Sequence, residues 1–160
     1  MIAGSVELLL RLIDQGFDKK AWHGPNLRGS IRGLTAGQAS WRPQPKRHSI
    51  ADIVVHAAYW KYAVRRRLRG DKRGSFPLTG SNWFTLPAAL NEETWRQYIA
   101  LLESEHRALR QAIAELSDAQ LHRPTAGSKI TPAILIYGIA SHDVYHAGQI
   151  QLLKRLQEGR

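Results

Sequence analysis

Cysteine is absent from the 160 residues. Disulfides, thiolate metal sites and a catalytic thiol from the protein itself are therefore excluded. Any transition metal would have to be held by nitrogen or oxygen, with histidine the natural donor. Long hydrophobic runs are also missing. None approaches the roughly 18 residues of a membrane span. Glu7 breaks the apolar stretch near the start, and no basic segment precedes it, so no signal peptide is expected. A cytoplasmic protein is the expectation. Negative charge is scarce, with 13 Asp and Glu against 23 Lys and Arg, a net charge of +10. That excess permits binding to nucleic acid or an anionic surface. Solvated helix faces are the plainer account of it. Strand-like alternation and internal repeats are lacking too.

What remains is helical. Hydrophobic residues make up 43% of the chain, an ordinary globular share, and the length suits one domain over residues 1–160. Val6, Leu9, Leu10, Ile13 and Phe17 recur at helical steps, with Ser5 as the expected N-cap. Gly24-Pro25 interrupts this helix, and Leu27, Ile31 and Leu34 carry a broken continuation towards Gly33. Residues 35–48 form a connection with one helical turn at 36–40. Ser49 and Asp52 make a capping box for a second helix from Ile50 to about Arg69. Its inner stripe is Ile53, His56, Ala57, Trp60 and Val64. Lys61, Arg65, Arg66, Arg67, Arg69, Lys72 and Arg73 crowd its far end and read as a solvated terminus that complements the helix dipole.

Residues 70–91 are too rich in Gly and Pro for a helix, yet contain Phe76, Trp83, Phe84 and Leu86. They are expected to form an ordered crossover lying over the bundle. Asn91 caps a third helix with the stripe Trp95, Ile99, Leu102, Leu109, Ile113 and Leu116, and His106 falls on that stripe. A loop from Ser117 to Ile130 follows, containing Pro124 and Gly127. Thr131-Pro132 opens the last helix, whose stripe runs through Leu135, Ile139, His142, Tyr145/His146, Gln149, Leu153 and Leu156. The tail from Gln157 to Arg160 is expected to fray. The fold class is thus all-α, a four-helix bundle with a long crossover between helices 2 and 3.

His142 and His146 are four residues apart, so both imidazoles lie on one side of the last helix. Two ligands do not complete a site, and His56 on the second helix is the candidate third. Bundle cores are one place where facing helices build metal sites. The alternative is three core histidines satisfied by hydrogen bonds. His142-Asp143-x-x-His146 also approaches the H-E-x-x-H zinc-protease motif. Its base is one methylene short, and almost no chain follows to supply a third ligand, so that reading is set aside. Asp143 lies about 100° round the helix from His142 and is expected at the surface or behind the ligands. His23, His48 and His122 fall in breaks or loops. His106 is a reserve ligand or substrate contact.

The order of these features resembles a known family. "LTAGQASWRPQPKRHSIADIVVHAAYWKYAVRRRL" and "GIASHDVYHAGQIQLLKRL" are similar to the two ligand regions of the DinB-like (DinB/YfiT) superfamily. The resemblance implies metal ligands at His56, His142 and His146, a divalent nickel or zinc ion, and a homodimer. Characterised relatives use bacillithiol, mycothiol or glutathione, so it further implies transfer of a low-molecular-weight thiol to a small-molecule substrate. Three imidazoles leave open positions on such an ion, and the absence of cysteine fits a nucleophile brought by a cofactor. Trp60, Trp83, Phe84 and His106 are the expected substrate contacts. A metal-dependent hydrolase is the alternative chemistry. A non-enzymatic, basic nucleic-acid-binding protein is the competing class, less favoured because the basic run lacks a docking motif.

Overall fold

A computed structural model describes residues 4–125 and 128–159. Met1 to Ala3, Ala126, Gly127 and the terminal Arg160 lie outside the described residues. Four long helices, α1 (Ser5–Phe17), α4 (Ile50–Arg69), α5 (Glu92–Ala114) and α7 (Pro132–Glu158), are joined by three short ones, α2 (Leu27–Ser30), α3 (Ala36–Ser40) and α6 (Asp118–Leu121). The bundle closes in a ring: α4 packs on α5 and α7, and α1 packs on α7 and α5. No strand occurs among the described residues. No helix among them is long and apolar enough to cross a membrane.

Local chemistry fixes where the helices begin. Ser49 accepts from the Asp52 amide while the Asp52 carboxylate accepts from the Ser49 amide, so the second long helix starts at Ile50. Arg42 pairs with the same carboxylate at 2.6 Å. Asn91 caps α5, and Thr131 with Pro132 opens α7. The expected cap of α1 is corrected. Gly4 is its N-cap and Ser5 its first helical residue. The carboxylate of Asp118, on α6, accepts from the Ser5 and Val6 amides at 3.1 and 3.0 Å. A tertiary contact thus replaces a local cap, and α6 is a helical turn within the segment expected to be loop. At the other end, α7 continues through Gln157 and Glu158 instead of fraying. Gln157 donates to the Gln38 carbonyl at 3.0 Å, which holds this last turn.

The first half of α4 is buried on all sides, from Ile50 to Ala58, which makes it the central helix of the core. The crossover, residues 70–91, is ordered against it. Phe76, Leu78, Trp83, Phe84 and Leu86 pack on the core, and the Tyr62 hydroxyl accepts from the Gly74 and Ser75 amides. α1 and α7 approach closely at Gly16, where a Cβ would meet the Ala140 carbonyl at 3.0 Å.

Two side chains lie far from where the sequence suggested. Lys61 is fully buried, not part of a solvated helix end, and Asp143 is fully buried as well. They form an ion pair that joins α4 to α7. The reason is positional: Lys61 follows Ala57 and Ala58 by one turn on the buried face of α4, and its ammonium lies over the Phe17 ring and meets Asp143. Leu156, expected on the inner stripe, is exposed.

Candidate metal centre

α4 supplies His56 and α7 supplies His142 and His146, and the ligand atoms of all three lie within 4.8 Å of one another. The His142 Nε2 sits 3.1 Å from the His56 Nε2 and 3.0 Å from the His146 Nε2. Ligand nitrogens about one tetrahedral zinc ion stand roughly 3.3 Å apart, given Zn–N bonds of about 2.0–2.1 Å. The separations are therefore close to those of a shared ion.

The outer nitrogens decide the protonation. The His56 Nδ1 is 2.9 Å from the Asn82 carbonyl oxygen, which can only accept, so Nδ1 carries the hydrogen and donates it. The His146 Nδ1 faces the Gln149 Oε1 at 2.7 Å. The Gln149 amide nitrogen donates to the Tyr145 hydroxyl, which turns the oxygen towards the histidine. His146 is thereby a donor at Nδ1 too. Both rings present a bare Nε2 to the centre. His142 carries at most one hydrogen on its Nε2 when neutral, so it can satisfy only one of those two lone pairs. Its Nδ1 is buried without a partner among the described residues. Three buried nitrogens converge with fewer hydrogens than they need, and a cation with empty orbitals resolves that. Carbonyl and amide acceptors behind ligand histidines are the usual support of such sites.

Electrostatics act the same way. Burial holds His142 down to about 3, with the neighbouring histidines adding to it. Burial also holds His146 down to about 4, partly offset by its bond to Gln149. Burial lowers His56 against the opposing bond to Asn82. All three imidazoles are neutral at physiological pH, the form a metal requires. The residues present fit a divalent transition ion.

The surroundings are aromatic. Trp83 is stacked between His48, at 3.6 Å, and His56, at 3.8 Å. Trp60 donates from its indole nitrogen to the Asn82 side chain at 2.9 Å and lies edge-on to His56 and His142. Of the expected substrate contacts, Trp60 and Trp83 adjoin the imidazoles. Phe84 instead joins Tyr59 and Phe76, and His106 is stacked on Phe17 at 3.7 Å.

Three supporting residues escaped the sequence reading as such. Gln149 was placed on the inner stripe, and its three-residue spacing from His146 was the available signal. Asn82 adopts a positive φ of 63°, which asparagine tolerates better than most residues; nothing in its sequence neighbourhood flags it. His48 reaches the site only through Trp83.

The profile of the DinB superfamily matches residues 21–150. The chain belongs to the DinB superfamily. The match covers α4, the crossover and α7 as far as Ile150, and so contains His56, His142 and His146. Among solved structures, a conserved protein from Enterococcus faecalis superposes with a TM-score of 0.73 at 14% identity, covering 99% of both chains. The colibactin self-resistance protein ClbS, crystallised with double-stranded DNA, superposes with a TM-score of 0.62 at 18% identity, covering 97% of this chain and 98% of that one. Both share the fold of this DinB-superfamily chain. No curated protein sequence matches it.

Proposed function

We propose that His56, His142 and His146 bind one divalent transition ion, nickel or zinc, and that the protein is a metal-dependent transferase using a low-molecular-weight thiol. The observation that carries the reading is the convergence of three neutral imidazoles, two of them oriented by acceptors at Nδ1. When bound, the ion would supply open coordination positions at which a thiol or a water loses its proton. The chain's residues do the rest. The Asn82 carbonyl and Gln149 hold His56 and His146 in the ligating tautomer. Trp83 covers the His56 ring and keeps water from it, and Trp60 flanks His142, so the two indoles are the walls for a small-molecule electrophile. Phe84 and His106 remain proposed contacts only through a substrate that extends beyond these walls. A cytoplasmic homodimer fits the family resemblance, and Leu8, Leu12 and Tyr137 are exposed apolar side chains available for pairing.

The test begins with metal analysis of untagged protein, where about one ion per chain is expected. His56→Ala and His142→Ala should each lose it and His122→Ala should not. The loaded protein is then offered a model electrophile with bacillithiol, mycothiol and glutathione in turn. Turnover that needs a thiol and disappears in His146→Ala supports the transferase. Hydrolysis of an ester or amide without thiol moves the reading to a hydrolase.

Nucleic-acid binding is the second reading. The net charge of +10 and the shared fold with ClbS, a protein crystallised on double-stranded DNA, both favour testing it. Counterion release alone gives weak binding that fades with salt. Binding to duplex DNA that persists at physiological salt in metal-free protein would favour this reading over the first.

A further inference from the structure

The basic run at the end of α4 divides into two sets. Arg65 and Arg69 reach across to α5 and its C-cap and pair with Glu105 and Glu115 at 3.3 and 2.9 Å. Arg66 and Arg67 turn the other way. Both are half-buried, and neither has an ion-pair partner among the described residues. Arg66 donates to the Asp71 carbonyl, and Arg67 lies over the Trp60 ring at 5.9 Å.

Arg67 stands where two cavities meet. One, of about 190 Å³, is an open depression lined by Val64, Ile134, Leu135, Ile139 and His142. The other, of about 620 Å³, is more polar and brings Arg66 and Lys129 beside Arg67. They share Arg67, Ile130 and Leu135, so they form one groove with an apolar inner end, at His142, and an outer end where Arg66, Arg67 and Lys129 outnumber the single carboxylate, Asp71. A larger cavity, of about 640 Å³, lies on the far side of Trp83 and is lined by His48 and Gln149 but by none of the three clustered imidazoles. The groove at Arg67, unlike that cavity, touches a candidate ligand, His142.

A half-buried guanidinium without a carboxylate keeps part of its desolvation cost uncompensated. It also presents a planar fork suited to a carboxylate or phosphate. The inner cavity is smaller than the roughly 300 Å³ at which pockets for drug-sized ligands begin, so it takes a compact apolar group and not a whole macromolecule. We infer that this groove binds an amphipathic small-molecule anion, its apolar part against His142 and its acid group on Arg67, with Arg66 and Lys129 adding positive charge. This names a substrate class for the site and rests on the metal-centre reading only for the chemistry done there. Binding itself needs no ion.

The test compares 4-phenylbutyrate with 4-phenylbutan-1-ol, which share the apolar part and differ in the acid group. Dissociation constants are measured by ligand-observed NMR on zinc-free and zinc-loaded protein, alongside zinc content. Zinc-free wild type should prefer the acid by about tenfold or more, the range of a charge-assisted hydrogen bond. Arg67→Gln should erase the preference while keeping zinc. Gly138 lines the inner cavity, and a Cβ there meets nothing within 4 Å, so Gly138→Leu should fill the space without disturbing the helix and exclude both compounds. Equal affinities in wild type, a preference that survives Arg67→Gln, or binding that survives Gly138→Leu each overturn the inference. So does displacement of the acid by a DNA duplex whose affinity is lost in Arg67→Gln but unchanged in Gly138→Leu. A wild type that prefers the acid but holds no zinc sustains the groove and sinks the metal centre. One that holds zinc without the preference does the reverse.

Discussion

Replacing Lys61 by methionine should be among the most damaging single changes in the chain. Both partners of the Lys61–Asp143 pair have fully buried side chains. The second carboxylate oxygen, Oδ1, has no partner among the described residues. Asp143 is therefore satisfied from one side only, and Lys61 is its sole counter-charge among the described residues. Burial already pushes the Asp143 carboxyl up, while the lysine opposes that shift. Without the lysine nothing offsets burial, and the group must take up a proton or stay ionised in an apolar setting. Breaking a buried pair in this way costs about 3–5 kcal/mol. For a chain of this size, each kcal/mol shifts Tm by roughly 2–4 °C, so a fall of about 6–20 °C is expected. Asp143→Leu should do comparable harm by stranding the ammonium. The double variant Lys61→Met with Asp143→Leu removes both charges and fills the space with apolar groups, and should lie within about 1 kcal/mol of wild type or above it. Urea unfolding followed by circular dichroism at pH 7 gives the four corners of the cycle. Single variants that each lose less than about 1 kcal/mol, or a double variant as unstable as the worse single, would refute the reasoning.

Gln149→Leu removes the acceptor at the His146 Nδ1 and should weaken metal binding by about 10–100-fold, measured by competition with a chromogenic chelator; unchanged affinity would mean that Gln149 does not orient the ligand. Burial, with help from Lys61 and Arg110, holds His106 down to about 2, so its neutral form contributes stability above the unfolded value near 6.5 that is lost as pH falls. Such a group costs about 1.4 kcal/mol of stability per pH unit below 6.5, and His106→Leu should flatten the fall of the urea midpoint between pH 6 and pH 4.5 by about one proton's worth. Asp118→Ala leaves the Ser5 and Val6 amides without their acceptor and should cost about 1 kcal/mol, a Tm fall of roughly 2–4 °C; no change in Tm would show that water caps α1 equally well.

Helix positions were legible where local chemistry sets them. Ser49 with Asp52, Asn91, and Thr131 with Pro132 each place a helix start, and each start is where the structure has it. The meeting of His56 with His142 and His146 was readable because helical spacing puts all three on inward stripes. What the sequence hides is compensation at a distance. Lys61 reads as one more cation in a basic run, since its partner is 82 positions away. Asp118 reads as a loop residue, yet it caps a helix more than a hundred positions earlier. The sign of a charge is local information, and its neutralisation is not. The arginine run looked uniform for the same reason. Only Glu105 on α5 and Glu115 at its C-cap separate Arg65 and Arg69 from Arg66 and Arg67.

Trp83 lies flat on the imidazole of His56 at 3.8 Å. An indole in contact with a ring that coordinates an ion is an emitter beside a quencher. Nickel, with its open d shell, would drain the excited state, whereas zinc, with a filled one, would leave it nearly untouched. With the proposed ion bound, Trp83 would thus serve as an optical gauge for nickel at the three histidines, with zinc set apart from nickel by leaving the emission in place. Comparison with Trp83→Phe would isolate that signal from the other four tryptophans. Stopped-flow emission could then time the arrival of the ion without any added dye.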